Sequence, residues 1–354
     1  MQLDFLKKDE RLAIELKALY RSYGFGEYKL SGFEDYSLYT EHKSFLEGKG
    51  VLSFVEGGKL LALRPDVTLS IVKNVPADGT KKLFYDEHVY RKTACGSFAE
   101  LRQLGVEMLG NIDKTAEREV VSLILATLGK IGENYVLDIS HTGIIVKITE
   151  LLNLTSSGTR FVLGCLESKS VHDFIRFAGE NNLDERYSKA FAALIELTSE
   201  PTAAIAKLRE IAAYTGINEE TDELEQYVKT GGGRVNINFS VFGASDYYNG
   251  AVFKGYVEGI PHAVLSGGRY DKLLEKFGKK AEAVGFALYL GEISKYFKEQ
   301  TDAPDEVIVY TDETAERAYV AAQKARGNGK KVLLSREVPR NFNGNTVYAE
   351  NCDD

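Results

Sequence analysis

The sequence predicts an α+β protein built on an antiparallel sheet flanked by helices, with a helical insertion and a small α/β unit after it. Strand-like alternation on both sides of a polar break at 93–97 predicts a long hairpin over 83–110. From 152 to 230 no strand pattern appears, and apolar residues recur at helical spacing. After 303 a strand–helix–strand pattern begins. We therefore divide the chain into a core in two parts, a helical insertion and a C-terminal unit, with limits at 1–151 and 231–302, 152–230, and 303–354.

The first part of the core is predicted from hydrophobic period and turn residues. Apolar residues at helical spacing predict a helix over Asp9–Tyr23. Alternation on both sides of Gly57-Gly58 predicts a strand pair over 50–63, because two glycines favour a tight hairpin turn. Pro65 keeps the residue before it extended, and a short helix is predicted after it, over 67–75. A helix, a strand and a helix are then predicted over 115–131, 135–143 and 144–152.

The second part of the core is predicted to be rich in strands. Residues 234–264 carry strand patterns, and Asn249-Gly250 predicts a turn among them. A helix is predicted over Tyr270–Phe277 and an apolar helix over Gly285–Tyr296. The three glycines at 231–233 suggest a phosphate-binding loop, but such a loop needs a helix after it. A strand pattern follows them, so we interpret them as a turn.

Composition places the chain among ordinary globular proteins, at 44% hydrophobic and 27% charged residues. No run approaches the ~18 apolar residues of a membrane span. The start, MQLDFLKKDE, lacks the apolar segment of a signal peptide, so we expect a cytoplasmic protein. Cys95, Cys165 and Cys352 form no CxxC pair and the histidines show no ligand spacing, so neither a metal nor a cofactor is predicted. The net charge of −8 counts against a large nucleic-acid surface, and we do not expect tRNA binding.

Two short stretches carry candidate binding residues. Gln103 and Glu107 are four residues apart on one predicted strand, so their amide and carboxylate project from the same face of the sheet. The alternative is an edge hairpin with a solvated polar face. Asp66 and Thr68 stand at the start of a predicted helix, where they either face a ligand or cap the helix, as both residue types do well.

Five stretches resemble the histidyl-tRNA synthetases, a family of class II synthetases. RQLGVEMLG resembles the second half of their motif 2, and LRPDVT resembles their LRPEGT. SDYYNGAVF resembles their LDYYTRTVF, and SGGRYDKLLEKFG followed by AVGFALYL resembles their GGRYDGL and motif 3. YGFGEYKLSGFEDYSLY resembles their motif 1, although the family usually has proline where this chain has Ser31. The resemblance covers roughly residues 1–300.

This resemblance implies the class II fold, an antiparallel sheet flanked by helices, and a homodimer formed through motif 1. The C-terminal unit resembles the start of the family's anticodon-binding domain but is much shorter, so we interpret it as truncated. If 245–253 is a strand, alternation lets at most one of its two tyrosines face a pocket. The positions that fall on the family's histidine pocket are Asp66, Thr68, Gln103, Glu107, Tyr247 and Tyr248.

Three arginines that the family uses in catalysis are replaced here. Counting along the motifs places them on Val89, Gly243 and Glu292, and places the glutamate that accompanies the first of them on Arg91. The arginine that would pair with the ligand carboxylate is the one that falls on Gly243. Charge builds on the α-phosphate of ATP during activation, and losing one charge stabiliser typically costs about 10²–10³ in rate. We therefore predict a synthetase-like fold without synthetase activity.

A non-catalytic histidyl-tRNA synthetase paralogue with a short C-terminal unit resembles the regulatory subunits of short-form ATP phosphoribosyltransferase, which act at the first step of histidine biosynthesis. The resemblance implies a hetero-oligomer with a short catalytic subunit, which is a hetero-octamer in that family. It also implies that the chain is needed for catalytic activity and that histidine is the effector of feedback inhibition. Two alternatives stay open, a divergent histidyl-tRNA synthetase and a stand-alone histidine sensor.

Overall fold

The computed structural model describes most of the chain. The described residues are 6–41, 50–76, 78–93, 95–197, 200–242, 247–297, 303–340 and 342–352. The chain divides into two compact units, Met1–Phe297 and Lys298–Asp354. The helical segment therefore belongs to the same unit as the core, while the predicted limits at 151, 230 and 302 stay predictions.

Before residue 278, a helix is found among the described residues wherever the spacing of apolar residues predicts one. None of the described helices is long and apolar enough to cross a membrane. In chain order the helices are α1 (Lys8–Ser22), α2 (Ser37–Glu41), α3 (Val67–Asn74), α4 (Lys114–Ile131), α5 (Thr142–Leu151), α6 (Ser156–Glu167), α7 (Val171–Glu180), α8 (Glu185–Glu196), α9 (Pro201–Thr215), α10 (Asn218–Gly231), α11 (Asp271–Lys276), α12 (Leu290–Ile293) and α13 (Ala315–Gly327).

The strands of the described residues form three sheets. In chain order they are β1 (Gly26–Glu27), β2 (Phe33–Asp35), β3 (Ser53–Glu56), β4 (Lys59–Leu63), β5 (Lys81–Lys92), β6 (Phe98–Gly110), β7 (Tyr135–His141), β8 (Val235–Ile237), β9 (Ala251–Val257), β10 (Leu265–Arg269), β11 (Glu282–Leu288), β12 (Glu306–Val309), β13 (Val332–Ser335) and β14 (Asn345–Tyr348).

The first unit is organised around an eight-stranded sheet with the order β1-β5-β6-β11-β10-β9-β7-β8. β5 and β6 form the predicted long hairpin, with Lys92 opposite Phe98 beside the turn. The inner pairs are antiparallel, and only the edge strands β1 and β8 pair in parallel with their neighbours. This arrangement confirms the predicted α+β class with a largely antiparallel sheet.

A small sheet, with the order β2-β4-β3, leads the chain into α3. Gly57 and Gly58 have φ angles of 55° and 78° in its turn, a left-handed conformation that glycine adopts without steric cost, and the predicted strand pair is confirmed. At the end of β4 the Arg64 guanidinium is buried, contacts Glu87 at 2.9 Å and donates to the Ser31 carbonyl. These bonds hold the start of α3 against β5.

The helices α6 to α10 form the predicted helical insertion and share the core of the large sheet. Phe191 and Leu208 of the insertion are fully buried in the same hydrophobic cluster as Val284 of β11. Tyr227 on α10 donates a 2.7 Å hydrogen bond to Glu117 on α4. α10 ends at Gly231, and one turn of 3₁₀ helix leads into β8, so the glycine run is a turn as predicted.

The apolar helix predicted over Gly285–Tyr296 is wrong. The first four of these residues belong to β11, which lies between β6 and β10, and α12 spans only Leu290–Ile293. β11 is buried along most of its length, so its side chains do not alternate between apolar and polar. A short apolar run of this kind does not distinguish a buried strand from a buried helix.

The second unit is a small α/β unit, as predicted after 303. Its three strands are parallel in the order β13-β12-β14, and β14 extends the predicted strand–helix–strand pattern by one strand. α13 covers one face of the sheet, where Ala318 and Ala322 pack against Ile308. Small side chains on the helix allow this close approach.

Candidate functional site

All six predicted site residues lie around one cavity of about 270 Å³. It forms where the start of α3 meets the inner strands of the large sheet. The predicted residues in its wall are Asp66, Thr68, Gln103, Glu107, Tyr247 and Tyr248, and further polar residues there are Tyr85, Arg91, Ser266, Tyr270 and Tyr289. The volume lies just below the ~300–1,000 Å³ range of small-molecule sites, which suits an amino acid better than a nucleotide.

Asp66 caps α3 and lines the cavity at the same time. Its Oδ1 accepts a hydrogen bond from the Leu69 amide at 3.1 Å, so the capping interpretation is correct. Its Oδ2 lies 3.3 Å from the guanidinium of Arg91. The capping interpretation and a place in the cavity wall are therefore compatible in one carboxylate, and a role in ligand binding stays a prediction.

Glu107 is the most buried charged group of the site, with only 2% of the residue exposed. The Thr68 hydroxyl donates to its Oε1 and the Tyr270 hydroxyl donates to its Oε2, each at 2.6 Å. Burial raises the pKa of this carboxyl to about 8, with a smaller contribution from Asp66, although the two hydroxyl bonds act against the rise. Glu107 is therefore mainly protonated near neutral pH, and an adjacent cation would favour its ionised form.

Gly267 and Gly285 form the floor of the cavity, and Gly105 lies in the strand that carries Gln103 and Glu107. A side chain at Gly105 would collide with the ring of Tyr85 opposite. Gly285 on β11 pairs with Glu107, and a Cβ there would overlap the carboxyl group and the neighbouring backbone. Glycine inside a strand permits this kind of close approach. The cavity therefore depends on missing side chains as well as on the polar ones.

We expect Gly285→Ala to close the floor of the cavity. The added methyl group has no free space beside Glu107, and overpacking of this kind typically costs about 1–3 kcal/mol. Urea denaturation should show the loss of stability, and ligand binding should fall with it. The matched control is Gly164→Ala, at an exposed position of α6 where a Cβ meets nothing within 4 Å. This change should leave the free energy of unfolding the same or slightly higher. Equal stability of the two variants would contradict this account.

Both tyrosines of the DYY stretch line the cavity, so the prediction that at most one faces it is wrong. Tyr247 and Tyr248 lie outside any strand, and the alternation rule does not apply to them. Their rings meet edge to face with centroids 4.7 Å apart. Together with Tyr85 and Tyr270 they give the cavity an aromatic wall with hydroxyl groups, which can hold a cation by its ring faces.

Arg91 lines the cavity, and the sequence reasoning did not place it there. Its Nε donates to the Pro65 carbonyl at 2.7 Å, and its guanidinium faces Asp66. Counting the motif positions back across the hairpin turn places the family's motif 2 glutamate on Arg91 and its motif 2 arginine on Val89. Val89 is fully buried in the apolar cluster beside α3. The signal that could have identified Arg91 is its place on the same strand face as Tyr85, which also lines the cavity.

Of the other two lost-arginine positions, Glu292 is not among the described residues of the cavity wall. Glu292 is part of α12 and pairs with Lys295 at 2.7 Å. Gly243 lies outside the described residues. Among the described residues of the wall, Arg91 is thus the one cation, next to two carboxyl groups and several tyrosines.

Comparison with known proteins places these features in a family. The model of the histidyl-tRNA synthetase family matches residues 2–293. An ATP phosphoribosyltransferase regulatory subunit from Caldanaerobacter subterraneus is 29% identical over 94% of this chain and 92% of its own. A regulatory subunit/histidyl-tRNA synthetase from Bacillus halodurans has the same fold, with a TM-score of 0.80 at 23% identity over 96% of this chain and 93% of that one.

A further solved structure is the ATP phosphoribosyl transferase (HisG:HisZ) complex from Thermotoga maritima. Its matched chain has a TM-score of 0.63 at 18% identity, over 80% of this chain and 97% of that one, which shows the shared fold. The family model covers most of the chain, and the curated relatives match it almost end to end. The chain therefore belongs to the histidyl-tRNA synthetase family and is similar to the ATP phosphoribosyltransferase regulatory subunits within it.

Proposed function

We propose that this chain is the non-catalytic regulatory subunit of a short-form ATP phosphoribosyltransferase, at the first step of histidine biosynthesis. The observation that carries the proposal is the similarity, over 94% of the chain, to a protein of that name. The partner is a short catalytic subunit in a hetero-oligomer, which we propose to be a hetero-octamer, with this chain as a homodimer within it. The synthetase-like unit supplies the sensing pocket and the catalytic subunit supplies the chemistry.

The effector that suits the pocket best is histidine. Asp66 and Glu107 offer carboxyl groups to its ammonium and imidazole, and the Gln103 amide can both donate and accept hydrogen bonds. Tyrosine rings around them favour a small cationic molecule. Binding in this pocket can inhibit a distant catalytic subunit only if histidine binds one state of the complex more tightly than the other.

The test is the condensation of ATP with phosphoribosyl pyrophosphate by a short catalytic subunit from the same source. We expect this chain to raise the rate, and added histidine to abolish the increase. A catalytic subunit that is equally active with and without this chain would overturn the proposal. Activation that does not respond to histidine would keep the regulatory role and remove histidine as the effector.

One observation favours a second candidate, a divergent histidyl-tRNA synthetase. Arg91 places a cation in the cavity, and a synthetase needs cations beside the α-phosphate of ATP. Against it, the guanidinium is engaged by Pro65 and Asp66, and the counted positions Val89 and Glu292 hold no cation. Histidine-dependent exchange of pyrophosphate into ATP decides the question. We expect no exchange, and a clear signal would establish the synthetase.

A further inference from the structure

In the part of the chain that the structure describes, no cationic side chain contacts the carboxyl group of Glu107. Both of its oxygens accept hydrogen bonds from neutral hydroxyls. The charge that acts on the Glu107 carboxyl is that of another acid, Asp66, which raises its pKa further. Arg91, the one cation in the described part of the wall, contacts Asp66. The titratable groups that face this site from α3, β5, the 247–248 segment, the start of α11 and the end of β11 are Asp66, Arg91, Tyr85, Tyr247, Tyr248, Tyr270 and Tyr289.

The surroundings can accommodate either protonation state. A hydroxyl group both donates and accepts hydrogen bonds, so the Thr68 and Tyr270 hydroxyls can turn to accept a hydrogen bond from protonated Glu107 as well as donate one to the ionised form. A buried carboxylate without a cationic partner is costly, whereas a buried carboxylic acid with hydrogen-bond partners is not. The pKa values of Tyr247, Tyr248 and Tyr270 are all raised by burial, so these hydroxyls keep their protons.

We propose that Glu107 carries a proton in the ligand-free protein and gives it up when a nitrogen cation of the ligand settles beside it. This rests on the proposed function for the identity of the ligand as histidine. The O–H bond of the carboxylic acid breaks, and its proton goes to solvent or to the imidazole nitrogen of the ligand, with no change of oxidation state. The product is a buried carboxylate paired with a cation, which is stable where the isolated carboxylate is not.

The proposal makes binding depend on pH when the proton goes to solvent. A cation favours the ionised carboxyl, so binding releases one proton below the pKa of about 8. The affinity should then rise by up to about tenfold per pH unit as the pH approaches that value and level off above it. In the cell such a pocket would sense histidine less sensitively when the pH falls.

Infrared difference spectroscopy on the full chain tests the protonation state directly. Between about pH 7 and pH 9.5 the ligand-free wild type should lose the carbonyl band of a protonated carboxylic acid, because Glu107 ionises in this range. Glu107→Gln should not show this loss. Tyr270→Phe removes a hydroxyl that favours the charged form and should move the loss to higher pH. A wild type without that band near pH 7 overturns the proposal.

Adding L-histidine near pH 7 tests the second half, the loss of the proton on binding. The same band should disappear from the wild type and from Glu167→Gln, which removes an exposed carboxyl on α6, and Glu107→Gln should show no such change. Histidine that binds while the band persists overturns the proposal and leaves the effector assignment intact. If histidine does not bind the wild type, the proposed effector fails, and the pH difference spectrum of the ligand-free protein still decides whether Glu107 is protonated.

Discussion

Glu107→Gln should stabilise the protein, and increasingly so as the pH rises. The folded-state pKa of Glu107 is raised to about 8, while the unfolded chain has an ordinary glutamate near 4.5. Between these two pKa values the Glu107 carboxyl is ionised in the unfolded chain but keeps its proton in the folded protein. The contribution of this group to the free energy of unfolding is therefore complete below about 4.5 and is lost progressively up to about 8.

Glutamine keeps the shape of the buried carboxylic acid and cannot ionise, so it does not lose this contribution. Between about pH 5 and pH 8 we expect the variant's advantage in the free energy of unfolding to grow by on the order of 2–4 kcal/mol. Urea denaturation at several pH values measures it. Glu167→Gln, which removes an exposed carboxyl on α6, is the control and should give no growing difference. A constant difference between wild type and Glu107→Gln at all pH values would contradict the buried-acid account.

Much of the fold was predictable because its signals are local. The turn at Gly57-Gly58, the helix after Pro65 and the hairpin of β5 and β6 each follow from a period or a turn residue within a dozen positions. β11 was not predictable in this way, since a buried strand in the middle of a sheet has apolar side chains on both faces. Its neighbour β10 was not predicted either, because it contains two glycines, which are disfavoured in strands.

The site was predictable only in part, because its decisive contacts join distant parts of the chain. Strand spacing placed Gln103 and Glu107 on one face, and the family motifs added the other four residues. The hydrogen bond from Tyr270 to Glu107 spans 163 positions, and no local pattern contains it. Arg91 was not predicted in the cavity wall, because its position was judged only by counting motif residues across a turn, and turns vary in length more freely than strands.

Glu107→Ala should remove the response to histidine from the complex with the catalytic subunit while leaving the complex assembled. The substitution deletes the buried carboxyl that faces the ligand and leaves the Thr68 and Tyr270 hydroxyls without their partner. Truncating one member of a buried, hydrogen-bonded charge pair costs about 2–5 kcal/mol, so the histidine concentration for half inhibition should rise about 30-fold or more. Histidine titrations of the phosphoribosyltransferase reaction measure it, and light scattering on the same samples reports assembly.

Glu292→Ala is the matched control, since Glu292 is an acid of the same unit whose carboxylate pairs with Lys295 outside the described cavity wall. It should leave both inhibition and assembly unchanged. The two readouts together separate a sensing role from a structural one. A sensor predicts intact complexes that histidine no longer inhibits, because coupling requires the ligand to bind one state more tightly. If Glu107→Ala prevents assembly instead, the carboxyl has a structural role, and the sensing role belongs to other residues.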